Sequence, residues 1–368
     1  MLNGKTEYLR PLVGSVEPAQ WKILTAETVN SIVRDAIKEG VGGDANPRAY
    51  IESYICSEDV PAFNPIQEYL DGLPAWDGEN HLAKLFERIP GITSEVLSWL
   101  CIWLRSAVAH WKQMDTLHGN ECMPVLIGSQ GCGKSTFAYR LLPPDLRQYY
   151  LDSINFGNKF DADMALTNNL LGNLDEFTNM GPTQQGKLKY CLSRPKVNGR
   201  PAFGKSQDDR PRFASFLATT NDEHPLTDPT GSRRYICVKI PLGKFINNEG
   251  EINYEQLYAQ ILFELQEKKV PYWFTNDQVA RIQEANLAFF KSGDLETMLL
   301  TCFEVPEKDE TGNWYGNQEI LRLMQVKFPN LVSTNSNKLH VGKTLKSLGC
   351  ASKHTKYGQV YQLKLKSA

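Results

Sequence analysis

The run Gly128-Ser129-Gln130-Gly131-Cys132-Gly133-Lys134-Ser135-Thr136 fits the pattern G-x-x-x-x-G-K-[ST]. It follows the apolar stretch Met123-Pro124-Val125-Leu126-Ile127 and leads into Phe137-Ala138-Tyr139-Arg140-Leu141-Leu142. Strand, glycine loop and helix are the context this pattern requires. Its glycines let the main chain curl so that N–H groups point inward at a polyphosphate, beside the positive end of the following helix. All nine residues, 128–136, are expected to form the binding loop. Lys134 is expected at the β- and γ-phosphates, and Ser135 as a ligand of Mg²⁺. ATP and Mg²⁺ are the cofactors this loop implies.

Further along, alternating signals predict strands near 149–151, 170–174, 213–219 and 235–240, separated by crossovers. That order implies an α/β fold built on a parallel, three-layer sheet. Ahead of it lie one amphipathic helix over 26–39 and a helical stretch from Pro47 to Pro90. That stretch is interrupted by Asp71-Gly72-Leu73-Pro74-Ala75-Trp76-Asp77-Gly78, which fits a surface loop around a buried tryptophan. Over 94–114, Trp99, Trp103, Ala107 and Trp111 recur every four residues, a core stripe expected to pack on the sheet. Helices are expected at 254–268 and 277–291, then an acidic-polar linker or long loop at 304–313. The chain should end in helices at 317–327 and 336–348 and two short strands around Lys356-Tyr357-Gly358. Helix, helix and hairpin is the order of a winged helix-turn-helix. The expected division is an N-terminal helical region (1–93), an ATPase domain (94–270), a helical linker (271–303) and a winged DNA-binding domain (304–368).

The formal net charge of −2 conceals an asymmetry. From Leu321 to Ala368 there are nine Lys and Arg and no Asp or Glu, leaving −11 for the rest. A basic end on an acidic body suits contact with a polyanion. The eight cysteines include no C-x-x-C pair and the six histidines are dispersed, so neither a disulfide framework nor a zinc site is expected. The opening Met-Leu-Asn-Gly-Lys-Thr-Glu is unlike a signal peptide and no apolar run approaches membrane-spanning length. A cytoplasmic protein with no membrane partner is the expectation.

Downstream of the loop, Leu170-Leu171-Gly172-Asn173-Leu174-Asp175-Glu176 is an apolar strand ending in two acids. Asp175 suits a Mg²⁺-holding acid and Glu176 one that orients the attacking water. Alone, the pair also fits a solvated strand end. The next strand ends Ala218-Thr219-Thr220-Asn221, and an amide there can bond both the γ-phosphate and the water. Asn-Asp is equally ordinary turn chemistry. Asp228-Pro229-Thr230-Gly231-Ser232-Arg233-Arg234-Tyr235 places two arginines just before a strand. Either Arg233 or Arg234 can serve as a finger in a neighbouring subunit's nucleotide site, where it neutralises transition-state charge.

This order of loop, Asp-Glu strand, Asn-tipped strand and arginine loop, within about 110 residues, resembles the superfamily-3 helicases, AAA+ ATPases of viruses, phages and plasmids. Closer still, residues 69–78 and 228–235 are similar to the N-terminal signature and the arginine motif of the virulence-associated E family of mobile elements. The resemblance spans roughly residues 60–240. It implies a P-loop AAA+ ring, a homo-hexamer, that hydrolyses ATP and moves along DNA. Many relatives carry a primase, for which this chain has neither length nor zinc-binding cysteines; priming, like polymerisation, is expected from a separate partner.

The interval 187–212 holds Lys187, Lys189, Arg194, Lys196, Arg200, Lys205, Arg210 and Arg212 against Asp208 and Asp209. Asn198-Gly199 within it is hairpin-turn chemistry. By resemblance this interval carries a hairpin in the ring channel, with Lys196, Arg200 and Lys205 tracking phosphates and Phe203 stacking or wedging. In the basic end, Lys343 and Lys346 on the second helix and Lys353 and Lys356 on the wing are the expected duplex contacts. The expected function is an ATP-dependent DNA helicase or translocase in the replication of a phage or mobile element. The alternatives are a helicase loader or remodelling ATPase, and a non-enzymatic origin-binding module whose assembly nucleotide controls.

Overall fold

The computed structural model describes residues 6–9, 21–43, 45–61, 63–115, 117–154, 156, 158–180, 182–199, 208–226, 229–290, 295–306, 312–356 and 358–366. They divide into two compact units, Met1–Gly72 with Asn198–Arg210, and Leu73–Val197 with Pro211–Ala368.

In the first unit, β1 (Glu7–Leu9) pairs antiparallel with β2 (Trp21–Ile23). Helix α1 (Ala26–Lys38) starts at Thr25, whose hydroxyl accepts from the Thr28 N–H at 3.3 Å, with Glu27 and Lys38 placed to complement the helix dipole. α2 (Arg48–Ile55) follows. α3 (Pro65–Asp71) combines a proline at its first position with Asn64, whose Oδ1 accepts from the N–H groups of Ile66 and Gln67.

The second unit opens with α4 (His81–Phe86) and α5 (Ser94–Trp111). The expected stripe on α5 is buried, and so is nearly every residue from Trp99 to Trp111. The helix lies against the sheet on one side and α4 and α9 (Tyr254–Gln266) on the other, so it has no solvent face to spend on polar residues. The preceding signature loop half-buries Trp76, which sits 5.1 Å from the Phe263 ring and donates its indole N–H to the Glu79 carbonyl.

The sheet contains β3 (Met123–Ile127), β4 (Tyr150–Leu151), β5 (Leu171–Leu174), β8 (Ser215–Thr220) and β9 (Tyr235–Lys239), in the order β4-β5-β8-β3-β9. Every pairing in it is parallel. β3, β5 and β8 are buried along their whole length, as parallel strands covered on both faces must be. Pro124 is accommodated within β3 one residue before pairing with β8 begins at Val125. Crossovers are α6 (Lys134–Tyr139), α7 (Lys159–Asn168) and α8 (Pro182–Ser193). Between α8 and β8, β6 (Lys196–Gly199) pairs with β7 (Asp208–Pro211). The strands of a hairpin are present, but Asn198-Gly199 closes the first strand instead of forming the expected turn, and the connecting residues 200–207 lie outside the described residues.

Beyond β9 come α9, α10 (Asn276–Asn286) and α11 (Leu295–Cys302), then β10 (Phe303–Glu304), β11 (Asn313–Gly316), α12 (Asn317–Lys327), α13 (Asn335–Ser347), β12 (Ser352–Thr355) and β13 (Gly358–Leu365). β13 pairs antiparallel with β10, β11 and β12, so the stretch after Glu304 joins two strands of one small sheet. α11 packs on α12 and α13. A continuous apolar core runs from Val125 and Phe216 through Phe290 and Leu299 to Leu345 and Leu363. Among the described residues no helix is long and apolar enough to cross a membrane, and all eight cysteines are unpaired.

His110 on α5 is 2% exposed, and burial, with Arg212 adding repulsion, pushes its pKa down to about 4 despite the opposing pull of Asp115. The unfolded chain therefore takes up this proton first as pH falls from about 6.5. Stability should drop between pH 6.5 and 4, by on the order of 3 kcal/mol from this group, with no further loss below. Urea denaturation of wild type and His110→Leu at pH 7 and pH 4 should show that pH-dependent difference shrinking in the variant.

Candidate functional site

Because the strands are parallel and in register, their following loops gather along one edge of the sheet. Ile127 lies opposite Thr220, and Leu174 opposite Ala218. The glycine loop, Asp175-Glu176 and Asn221 thus emerge beside each other, in the crevice where open α/β sheets bind ligands.

Lys134, at the start of α6, is 7% exposed. Its ammonium donates to the Gly128 carbonyl at 2.8 Å, the Ser129 carbonyl at 2.9 Å and Asn221 Oδ1 at 2.9 Å. Three donors meet three neutral oxygens, with the Cys132 sulfur at 3.7 Å. No carboxylate pairs with it among the described residues. Ser135 and Thr136, next along the helix, are exposed at the same edge, as are Ser129, Gln130 and Gly131.

A strap between β9 and α9 holds the loop from behind. The Ile246 N–H donates to the Cys132 carbonyl and Asn248 Nδ2 to the Gly133 carbonyl, both at 2.9 Å. The strap is fixed in turn by Arg88, which donates to the carbonyls of Asn247, Glu249 and Glu251. Gly133 has φ +89°, and a Cβ there would stand 2.5 Å from Asn248 Nδ2.

The Thr219 hydroxyl donates to Asp175 Oδ1 in a close contact that fixes the carboxylate. Glu176 is exposed, and its backbone is left-handed at φ +51°, a strained conformation for a side-chain-bearing residue. The oxygen donors here (Ser135, Asp175, Glu176) suit a hard cation such as Mg²⁺. A second acidic group, Asp77, Glu79 and His81, has its ligand atoms within 4.8 Å of one another. Local bonds already satisfy it: Asp77 accepts from the Glu79 N–H and pairs with His81, and Glu79 pairs with Lys84.

Arg233 and Arg234 lie at the other edge of the sheet. Tyr235 opens β9 opposite Met123, the first residue of β3, and the Cys122 thiol donates to the Arg233 carbonyl at 3.4 Å. From Cys122 to Gly128 the strand extends about 20 Å at the usual rise of ~3.3 Å per residue. An arginine side chain does not span that distance, so neither arginine reaches the glycine loop of its own chain. Both line a cavity of about 620 Å³ with Met114, Leu117, Glu121 and Trp273.

The basic interval divides differently from its reading as a run of backbone-tracking cations. Arg212 is 2% exposed. It donates to the carbonyls of Ala214, Leu192, Arg194 and Asn120, with Gly119 packed so close that a Cβ would meet its Nη1 at 2.6 Å. Arg194 pairs with Asp163 at 2.5 Å. Both are structural, because burial demanded partners for them. Lys196 is exposed at the start of β6; Arg200, Phe203 and Lys205 lie outside the described residues, as does Asp228. At the basic end Lys343 and Lys346 are exposed on α13, with Lys353 on β12 and Lys356 just after it. Lys353 Nζ stands 4.0 Å from the Trp314 ring centroid.

The sequence offered no signal for Thr219, Arg88, Asn248 or Asn286 as site-building residues. Asn248 sits in Ile246-Asn247-Asn248-Glu249-Gly250, which reads as a turn. Asn286, 1% exposed, donates to the carbonyls of Ser232 and Tyr235 and so clamps the arginine loop.

Residues 70–291 match the virulence-associated protein E-like domain. The chain belongs to that family. Residues 293–363 match a domain of unknown function described from a B. theta gene, DUF3874. No curated protein matches the chain. Among solved structures, the A-form apo structure of the NrS-1 C-terminal region is similar at 12% identity and a TM-score of 0.47, covering 94% of this chain and 92% of that one. An apo structure of NrS-1 residues 305–718 follows at 11% identity and a TM-score of 0.46, with the same coverage.

Gly133→Ala pays for both its backbone and Asn248, and should lower stability by about 1–3 kcal/mol. Gly131→Ala has φ +79° but nothing within 4 Å of its Cβ, so its loss should be the smaller. Denaturant midpoints of the two variants check the order.

Proposed function

We propose that this chain is an ATP- and Mg²⁺-dependent motor of the AAA+, superfamily-3 type that acts on DNA in the replication of a phage or mobile element. The observation that carries the reading is Lys134. A buried cation compensated only by neutral oxygens, at the meeting point of the glycine loop and two strand tips, is a site in want of an anion. Family membership over residues 70–291 supports it.

In the proposed reaction, Lys134 exchanges the Gly128 and Ser129 carbonyls for β- and γ-phosphate oxygens while the loop N–H groups surround the polyphosphate. Ser135 and Asp175 would hold Mg²⁺, which supplies charge neutralisation across the phosphates when bound. Asn221, released from Lys134, turns its amide to the γ-phosphate and the attacking water. Glu176 orients that water and accepts its proton. Arg233 or Arg234 completes the site of the adjacent copy, since both stand at the edge opposite their own loop. This head-to-tail use of one surface against another closes a ring, proposed to be a homo-hexamer. Catalysis is then positional and electrostatic.

The DNA-facing parts are proposed to be the β6–β7 hairpin, with Lys196, Arg200, Phe203 and Lys205, and a winged helix-turn-helix formed by α11–α13 and β11–β13. α13 buries Val341, Thr344 and Leu345 and exposes Ser336, His340, Lys343 and Lys346, a polar stripe at helical spacing.

ATP turnover with and without single-stranded DNA, with oligomer mass followed in the same samples, tests the reading. DNA-stimulated hydrolysis by a ring-sized assembly is expected. Lys134→Ala should reduce turnover by about 10²–10³-fold, and unchanged turnover would sink the assignment. A strand-displacement assay separates a helicase from a loader, which would hydrolyse ATP and displace nothing. For duplex binding, the double variant Lys343→Ala/Lys346→Ala should lower the slope of log affinity against log salt by about 2.

A further inference from the structure

Arg233 and Arg234 share a loop but not an environment. The Arg233 side chain is exposed, while its main chain is immobilised by Cys122 and by the two Asn286 bonds to Ser232 and Tyr235 on either side of the pair. Arg234 is half-buried, and its Nη2 donates to Ser193 Oγ at 3.2 Å. The Ser193 hydroxyl spends its own proton on the Lys189 carbonyl at 3.2 Å, so a lone pair is left for the guanidinium.

Ser193 is the last residue of α8, and β6 begins at Lys196. The same end of α8 is held a second time by Arg212, which follows β7 directly and donates to the carbonyls of Leu192 and Arg194 at 2.7 and 2.9 Å. The chain therefore enters and leaves the hairpin through a root gripped by two guanidinium groups. One comes from the hairpin's own return and the other from the arginine loop.

We propose that Arg234 and Ser193 tether the arginine loop to the root of the β6–β7 hairpin, leaving Arg233 as the guanidinium presented to the neighbouring copy's phosphate. The inference rests on the ATPase reading above and adds to it a division of labour and a route of coupling. A movement of the loop when Arg233 meets a phosphate reaches the hairpin root through the Arg234–Ser193 bond. Conversely, DNA held at the hairpin alters where Arg233 stands. Arg234 is thus a positioning residue and Arg233 the catalytic one.

The test uses the full chain, with ATP turnover read with and without a mixed-sequence single-stranded oligonucleotide, alongside melting temperature. Ser193→Ala should keep DNA-free turnover and lose DNA stimulation by about fivefold or more, the range of ordinary coupling between sites. Ser193→Thr, which keeps the hydroxyl, should be stimulated like wild type, whereas Ser193→Val, of the same shape without it, should not. This pair decides the matter if the alanine variant folds poorly. Arg233→Ala should abolish turnover in both conditions while leaving oligonucleotide affinity unchanged. Full stimulation of Ser193→Ala and Ser193→Val, or surviving turnover in Arg233→Ala, overturns the inference and leaves the ATPase reading standing. A wild-type chain inert toward ATP overturns the reading itself.

Discussion

The parallel register of the five-stranded sheet is the constraint on which everything else depends. Since every strand runs the same way, each loop that follows a strand opens on one edge and each segment that leads into a strand opens on the other. The glycine loop, the two acids and Asn221 therefore meet without any of them being specified as a group. By the same rule, Arg233 and Arg234, which precede β9, are set apart from them. Within one chain the length of the strands keeps the arginine loop and the glycine loop apart.

What the sequence disclosed was what is local. The glycine pattern, the apolar strands and the residues at their tips are written in consecutive positions, and they fall where the alternation of strands and helices places them. The order of elements after Gly316 was legible for the same reason, whereas Asn198-Gly199, read as a turn, closes strand β6. Partnerships formed across long stretches of chain were not. Nothing near Arg212 marks it as buried, because its four carbonyl acceptors come from three separate segments. Counting charges over 187–212 treated it as equal to Lys196, whereas only burial separates a cation that meets solvent from one that holds the fold. The stripe on α5 was found, but its full envelopment follows from α4 and α9, which no periodicity in α5 reports.

The same distinction orders the site. Lys134 and Asn221 were visible one by one, and the structure adds that they bond each other. Asp175 was visible, and the structure adds Thr219 as the group that sets its orientation. The strap and Asn286 are a further layer: side-chain amides used to fix main chain, one behind the glycine loop and one beneath the arginine loop. Amides suit this because they carry donors without a charge to be compensated in a buried setting.

The strap also has a bearing on the birth of the protein. Gly133 and the Asn248 that supports it are 115 residues apart in the chain. A nascent polypeptide emerging from the ribosome would expose the glycine loop long before its prop is synthesised. The loop would then take its finished shape only after β9 and the strap have followed it out. Contacts of such sequence separation are slow to form, because the intervening chain must first be ordered. For the same reason a fragment ending at β9 would contain every residue of the glycine pattern and still lack the support that holds it in form.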